Sequence, residues 1–118
     1  MTQLLFILSN PPGSSVYAQE AFDAALAGSA FSNIAMLFVA AGCLQLIEPR
    51  LETAAHQRKD FQRGFLALPD YDIQDIFCCA QSYKDHHLQT ASLVVQPALL
   101  SQPEISALIE RADSVLSF

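Results

Sequence analysis

The sequence is short of charge, and of positive charge above all. Charged residues are 15% of its 118 residues and hydrophobic ones 52%, where a soluble domain ordinarily carries roughly 25% charged. Six cations stand against twelve acidic groups, for a formal net charge of −6. The cations are Arg50, Arg58, Lys59, Arg63, Lys84 and Arg111, four of them between positions 50 and 63. Binding a nucleic-acid backbone needs a broad basic face that displaces counterions from phosphates. These residues do not supply one, which argues against direct nucleic-acid binding.

A disulfide framework is missing as well. Cys43, Cys78 and Cys79 are an odd number without framework spacing. The apolar run Leu4–Leu8 follows Met-Thr-Gln and lacks the basic start and the length of a secretory signal. Both features point to a reducing, cytoplasmic setting. Ala24 to Ile47 holds no charged residue and is long enough on paper to cross a bilayer. Ser29, Ser32, Asn33 and Gln45 interrupt it, however, and leave Ile34 to Ala41 as its strongly apolar part. Eight residues suit a buried strand, so no membrane span is expected.

The loop Asn10-Pro11-Pro12-Gly13-Ser14-Ser15 lacks both the glycine-rich dinucleotide fingerprint and the lysine of a P-loop. It reads as a turn followed by a helix cap, and no nucleotide or flavin cofactor is expected. The first strand does not deliver the acidic cluster of a phospho-receiver domain. Without repeats, linkers or low-complexity segments, the length bounds one domain, residues 1–118.

What the chain has in plenty is apolar surface. A small domain has a large surface-to-volume ratio, so this content exceeds what one core can hold and predicts exposed apolar patches that meet partners. Its order is alternating strand and helix. Gln3 to Leu8 reads as a strand, and Ser14 or Ser15 caps a helix running to about Ser29. That helix presents Ala18, Phe22, Ala25, Leu26 and Ser29 on one face. Ala35 to Ala40 is a second strand, and Cys43 to Ile47 a short helical turn stopped by Pro49. A loop over Arg50 to His56 leads to a helix from about Gln57 to Leu66. Strands follow at Asp72 to Cys78, Ser92 to Val95 and Ser114 to Phe118, with helices at Cys79 to His87 and Gln102 to Arg111. Near-continuous apolar strands imply burial on both sheet faces. The fold class is therefore α/β, a three-layer sandwich around a mainly parallel sheet of about five strands.

Cys79 carries the most chemical interest. It sits where a buried strand hands over to a helix, at the carboxyl edge where open α/β sheets gather reactive groups. In the first turn of a helix, a thiol meets the positive end of the dipole, which favours thiolate. Thiolate is the form that attacks sulfane sulfur and then carries it as a persulfide. The competing reading is a small buried hydrophobe. Adjacent strand residues face opposite sides, so one of Cys78 and Cys79 faces the core while the other reaches the edge. Cys43 either packs in the core or approaches the same edge. His86 and His87 do not combine with Cys79 into a metal site. Two helical turns separate Cys79 from His86, about 10 Å, and zinc ligands must lie near 2 Å from the ion.

Taken together the motifs resemble the DsrE/DsrF-like family, and within it the TusC/DsrF subunit of sulfur-relay complexes. The resemblance covers essentially the whole chain. It rests on Pro12-Gly13-Ser14 after an apolar strand, an Ala-rich helix, Met36-Leu37-Phe38-Val39-Ala40 with Gly42 behind it, and Leu44-Gln45-Leu46. Lys59-Asp60-Phe61, Tyr71-Asp72-Ile73, Cys79-Ala80 and the closing Asp113-Ser114-Val115-Leu116-Ser117-Phe118 complete it. The resemblance implies a flavodoxin-like sheet and an assembly with TusB/DsrH-like and TusD/DsrE-like partners as a dimer of heterotrimers. Such a complex takes sulfur from a TusA-like donor and passes it to a TusE/DsrC-like acceptor. The sulfur ends in wobble 2-thiouridine of tRNA, or, in the DsrEFH branch, serves sulfur oxidation. The family's persulfide cysteine belongs to the TusD/DsrE-like subunit, and Cys79 falls at the matching strand-to-helix position here. This chain departs from the family after it, where Ala80 to His87 lacks the glycine that commonly closes the helix.

Overall fold

Alternating side-chain direction along each strand sorts the apolar residues onto two sheet faces. The structure, a computed structural model, describes residues 2–11, 17–47 and 73–118, and the side chains of all these except 17–19 and 22. Its elements are β1 (Thr2–Leu8), α1 (Tyr17–Gly28), β2 (Ser32–Phe38), a 3-10 segment (Ala40–Leu46), β3 (Asp75–Cys79) and α2 (Ala80–Asp85). A 3-10 turn (Leu88–Thr90), β4 (Ala98–Leu100), α3 (Gln102–Arg111) and β5 (Ser114–Ser117) follow. The five strands lie in the order β4-β3-β2-β1-β5, and every pair is parallel.

Phe6, Leu8, Ile34, Met36, Phe38, Ile76 and Cys78 point to one face and pack with Ala21 and Ala25 of α1. Leu5, Ala35, Leu37 and Cys79 point to the other and pack with Ile105 and Leu108 of α3. The period of two along each strand therefore builds two cores from one sheet. Fully buried alanines let α1 lie close to the strands. The α/β three-layer, all-parallel architecture agrees with the sequence expectation.

β1 is staked at both ends. Phe118 N–H donates to the Ile7 carbonyl at 2.8 Å, and the Asp113 carboxylate accepts from Gln3 N–H at 2.7 Å. At the far side of β2 the chain turns through Ala40 in the left-handed region, φ 49°. It then lays Gly42 directly on the end of β1, where a Cβ would meet the Leu8 carbonyl.

Several element boundaries need correcting. The expected strand at Ser92 to Val95 is not in the sheet: Leu93 makes an isolated antiparallel bridge with Ile47, and β4 begins at Ala98. Leu93, Val94 and Val95 instead pack against the α1-side core, so burial rather than strand pairing uses their apolar side chains. The second strand ends at Phe38 and not at Ala40, because the left-handed Ala40 breaks the extended run. The helix expected from Cys79 to His87 spans Ala80–Asp85, with His87 left-handed at φ 58° beyond it. The third strand starts at Asp75. The serine cap at Ser14 or Ser15, the loop from Arg50 to His56, the helix from Gln57 to Leu66 and Asp72 lie outside the described residues. Among the described residues, no helix is long and apolar enough to cross a membrane.

Candidate functional site

Placing helices on opposite faces creates a topological switch point in the sheet. α2 leaves the end of β3 toward the face of α1, where its Tyr83 joins the first core. α3 leaves the end of β4 toward the other face. Adjacent strands whose connections diverge in this way leave a crevice at their carboxyl ends, the usual ligand position in open parallel sheets. Cys79 closes β3 at that point, in register with Leu100 of β4.

Cys79 is the N-cap residue of α2, with extended backbone (φ −60°, ψ 123°), and does not occupy the helical first turn expected for it. Its side chain faces the α3 side, packed with Leu5, Ala35, Leu37, Ile105 and Leu108. It is 5% exposed. Gln102, the first residue of α3, donates from Nε2 to Cys79 Sγ at 3.6 Å. At that burial the thiol meets solvent only after a local movement of the groups packed around it. Sequence reasoning missed Gln102: it lies 23 residues away, and nothing local marks it.

Cys78 faces the opposite core, as the alternation requires. It is fully buried, and so is Cys43 on the 3-10 segment. Their sulfurs are 3.0 Å apart. Cys43 thus does not join Cys79; it pairs with Cys78 across the sheet face. The Cys78 thiol is pushed up by its hydrogen bond to Cys43, by burial, and by the charges that Cys43 and Cys79 can carry. The Cys43 thiol is held down by the bond from Cys78, against the opposing effect of burial, with help from Ser82.

His86 and His87 take no part in this arrangement. His86 is half-buried and His87 exposed at the end of α2, and no group of three His, Cys, Asp or Glu among the described residues is placed to hold a metal ion. A cavity of about 330 Å³ opens on the α3 side near the amino ends of the strands, lined by Gln3, Ala35, Asp75, Phe77, Leu108 and Arg111. Asp75, Phe77 and Cys79 share one face of β3. The cavity therefore runs along the same strand as the thiol, from Asp75, about 13 Å from Cys79, to Phe77, about 7 Å from it.

The model of the DsrE/DsrF-like family matches residues 2–118. A protein of Pseudomonas aeruginosa called a TusC homolog is 35% identical over 119 residues, 99% of either chain. A protein of Klebsiella pneumoniae called TusC is 32% identical over 120 residues, 100% of either chain. The crystal structure of the ychN protein from E. coli superimposes with a TM-score of 0.82 over the full length of both chains at 13% identity, a likeness of fold alone. A parallel sheet between two helix layers, together with full-length similarity to proteins of this one kind, leads to one assignment: the chain belongs to the DsrE/DsrF-like family, in its TusC/DsrF group.

Proposed function

We propose that the chain is a subunit of a hetero-oligomeric sulfur-relay complex and contributes mainly assembly surface. One observation carries the reading: large apolar side chains stand in solvent at both edges of the sheet. Leu99 lies on edge strand β4, Val115 and Leu116 on edge strand β5, and Phe31 before β2 is 78% exposed. Edge strands with apolar side chains are an association hazard in a monomer, and an assembly that covers them removes it. The similarity to TusC proteins supports TusB/DsrH-like and TusD/DsrE-like subunits as the partners. Sulfur would pass through the complex from a TusA-like donor to a TusE/DsrC-like acceptor, in the service of tRNA 2-thiouridine synthesis.

Co-expression with TusB- and TusD-like chains tests this. A stable complex and a poorly behaved isolated chain are expected; a clean monomer at high concentration that retains no partner would end the proposal.

The position of Cys79 at the crevice favours a second reading, in which this chain itself carries sulfur. The Cys79 thiolate would attack the terminal sulfur of a donor persulfide. A bond forms from Cys79 Sγ to that sulfur as the donor's S–S bond breaks, and the donor leaves as thiolate. Intact mass spectrometry after exposure to a persulfidated donor separates the two readings. A gain of one sulfur atom, about 32 Da, that Cys79→Ser abolishes would move this chain from scaffold to relay station.

A further inference from the structure

The sulfur-transfer readings leave two of the three cysteines unused. Cys43 and Cys78 are both fully buried, with sulfurs 3.0 Å apart. They come from different parts of the fold: Cys43 from the 3-10 segment after β2, Cys78 from β3, one residue before its end. Cys79, next in sequence, projects into the other core. The fold therefore selects one pair out of three possible ones.

We propose that Cys43 and Cys78 are a redox-active dithiol, which a hydroperoxide converts to an intramolecular disulfide, leaving Cys79 the one free thiol of the chain. The sulfurs need to approach by roughly 1 Å to bond. Their environment divides the roles. Either sulfur of the pair can donate to the other; with Cys78 as donor and Ser82 beside it, Cys43 is the thiol held down and Cys78 the one that keeps its proton. The Cys43 thiolate attacks one peroxide oxygen; the O–O bond breaks, and Cys43 becomes a sulfenic acid as hydroxide leaves. Cys78 Sγ then attacks the sulfenic sulfur. The S–O bond breaks, the disulfide forms, and the Cys78 proton leaves with the hydroxyl as water. In sum two thiols lose two electrons and two protons, and hydrogen peroxide becomes two waters (an organic hydroperoxide, an alcohol and one water).

Access to the pair runs through α2. Ser82 on that helix binds the backbone of Ala40 at 2.8 Å and sits beside Cys43. α2 is six residues long and holds no fully buried residue, its half-buried Tyr83 being what packs on the α1-side core, and short segments of this kind open locally at low cost. Oxidation is therefore slower than for a free thiol, and the second step is fast because the partner is already in place.

The test uses the full-length chain with whatever subunits co-purify. After treatment with hydrogen peroxide it is denatured, alkylated, weighed intact and peptide-mapped. One alkylated cysteine, Cys79, and a linked Cys43–Cys78 peptide are expected, and a dithiol reductant restores three. Cys79→Ser keeps the link, and Cys43→Ser loses it. Three alkylated cysteines under conditions that oxidise free glutathione would overturn the proposal, as would any link that includes Cys79 or irreversible oxidation of Cys43 or Cys78 without a link. The count on the unsubstituted chain decides the matter even if Cys43→Ser does not fold.

Discussion

Replacing Gly42 with alanine drives a methyl group into the backbone of β1. The added Cβ would lie 2.6 Å from the Leu8 carbonyl carbon, 3.0 Å from the Ser9 Cα, and closer still to the Leu8 oxygen, where ordinary contacts begin at 3.4 Å. No side chain is there to rotate away, so the 3-10 segment and β1 must part. That carbonyl also accepts the Val39 N–H at 3.0 Å. Overpacking of this kind costs about 1–3 kcal/mol, and weakening the Val39 bond adds about 1 kcal/mol. A total of about 3 kcal/mol, set against an unfolding entropy of roughly 2.1 cal/mol/K per residue, lowers the midpoint of this 118-residue chain by about 12 °C. Thermal unfolding followed by circular dichroism at fixed concentration and subunit composition measures it. Gly28→Ala is the matched control: its Cβ meets only Ile34 Cδ1 at 3.4 Å and Leu4 Cδ1 at 3.5 Å, and α1 gains up to about 1 kcal/mol of helix propensity. If Gly42→Ala melts within about 4 °C of the parent, equivalent to 1 kcal/mol, the close approach of these two segments is wrong.

Other consequences are open to measurement. Leu37→Ala empties a fully buried position in the α3-side core and should cost about 2–5 kcal/mol in denaturant unfolding; under 1 kcal/mol would mean the site collapses or is wet. Ser101 N–H and hydroxyl both donate to Glu104 Oε1, at 3.0 and 2.9 Å, and hold that carboxyl below its ordinary 4.5. The stability from its ionised form is thus complete above pH 4.5 and lost as pH falls through the depressed value. Glu104→Gln should flatten the melting-temperature profile below pH 4.5 only; an equal slope in both proteins would remove Glu104 from the acid response. Val115→Lys with Leu116→Lys puts charge on the exposed edge strand β5 and should abolish or weaken co-purification with TusB- and TusD-like chains at unchanged melting temperature. Full retention of partners would place the interface elsewhere.

The last helix shows how much local rules reach. Pro103, tolerated in a first turn, marks the start of Gln102–Arg111, and the structure has the helix over those residues. The same holds for the apolar runs that became β1 and β2, within a few residues. Val94 and Val95 show where local rules stop. An apolar β-branched run reads as a strand, yet the tertiary structure spends those side chains on the α1-side core and gives the sheet edge to Ala98–Leu100.

The cysteines divide in the same way. That Cys78 and Cys79 face opposite sides follows from the two-residue period of a strand, a property of the backbone alone. That Cys43 meets Cys78 across 35 residues, and Gln102 meets Cys79 across 23, does not follow from any local pattern. These contacts exist because parallel strands need crossovers, and burial of the two sheet faces then decides which distant segments those crossovers bring together.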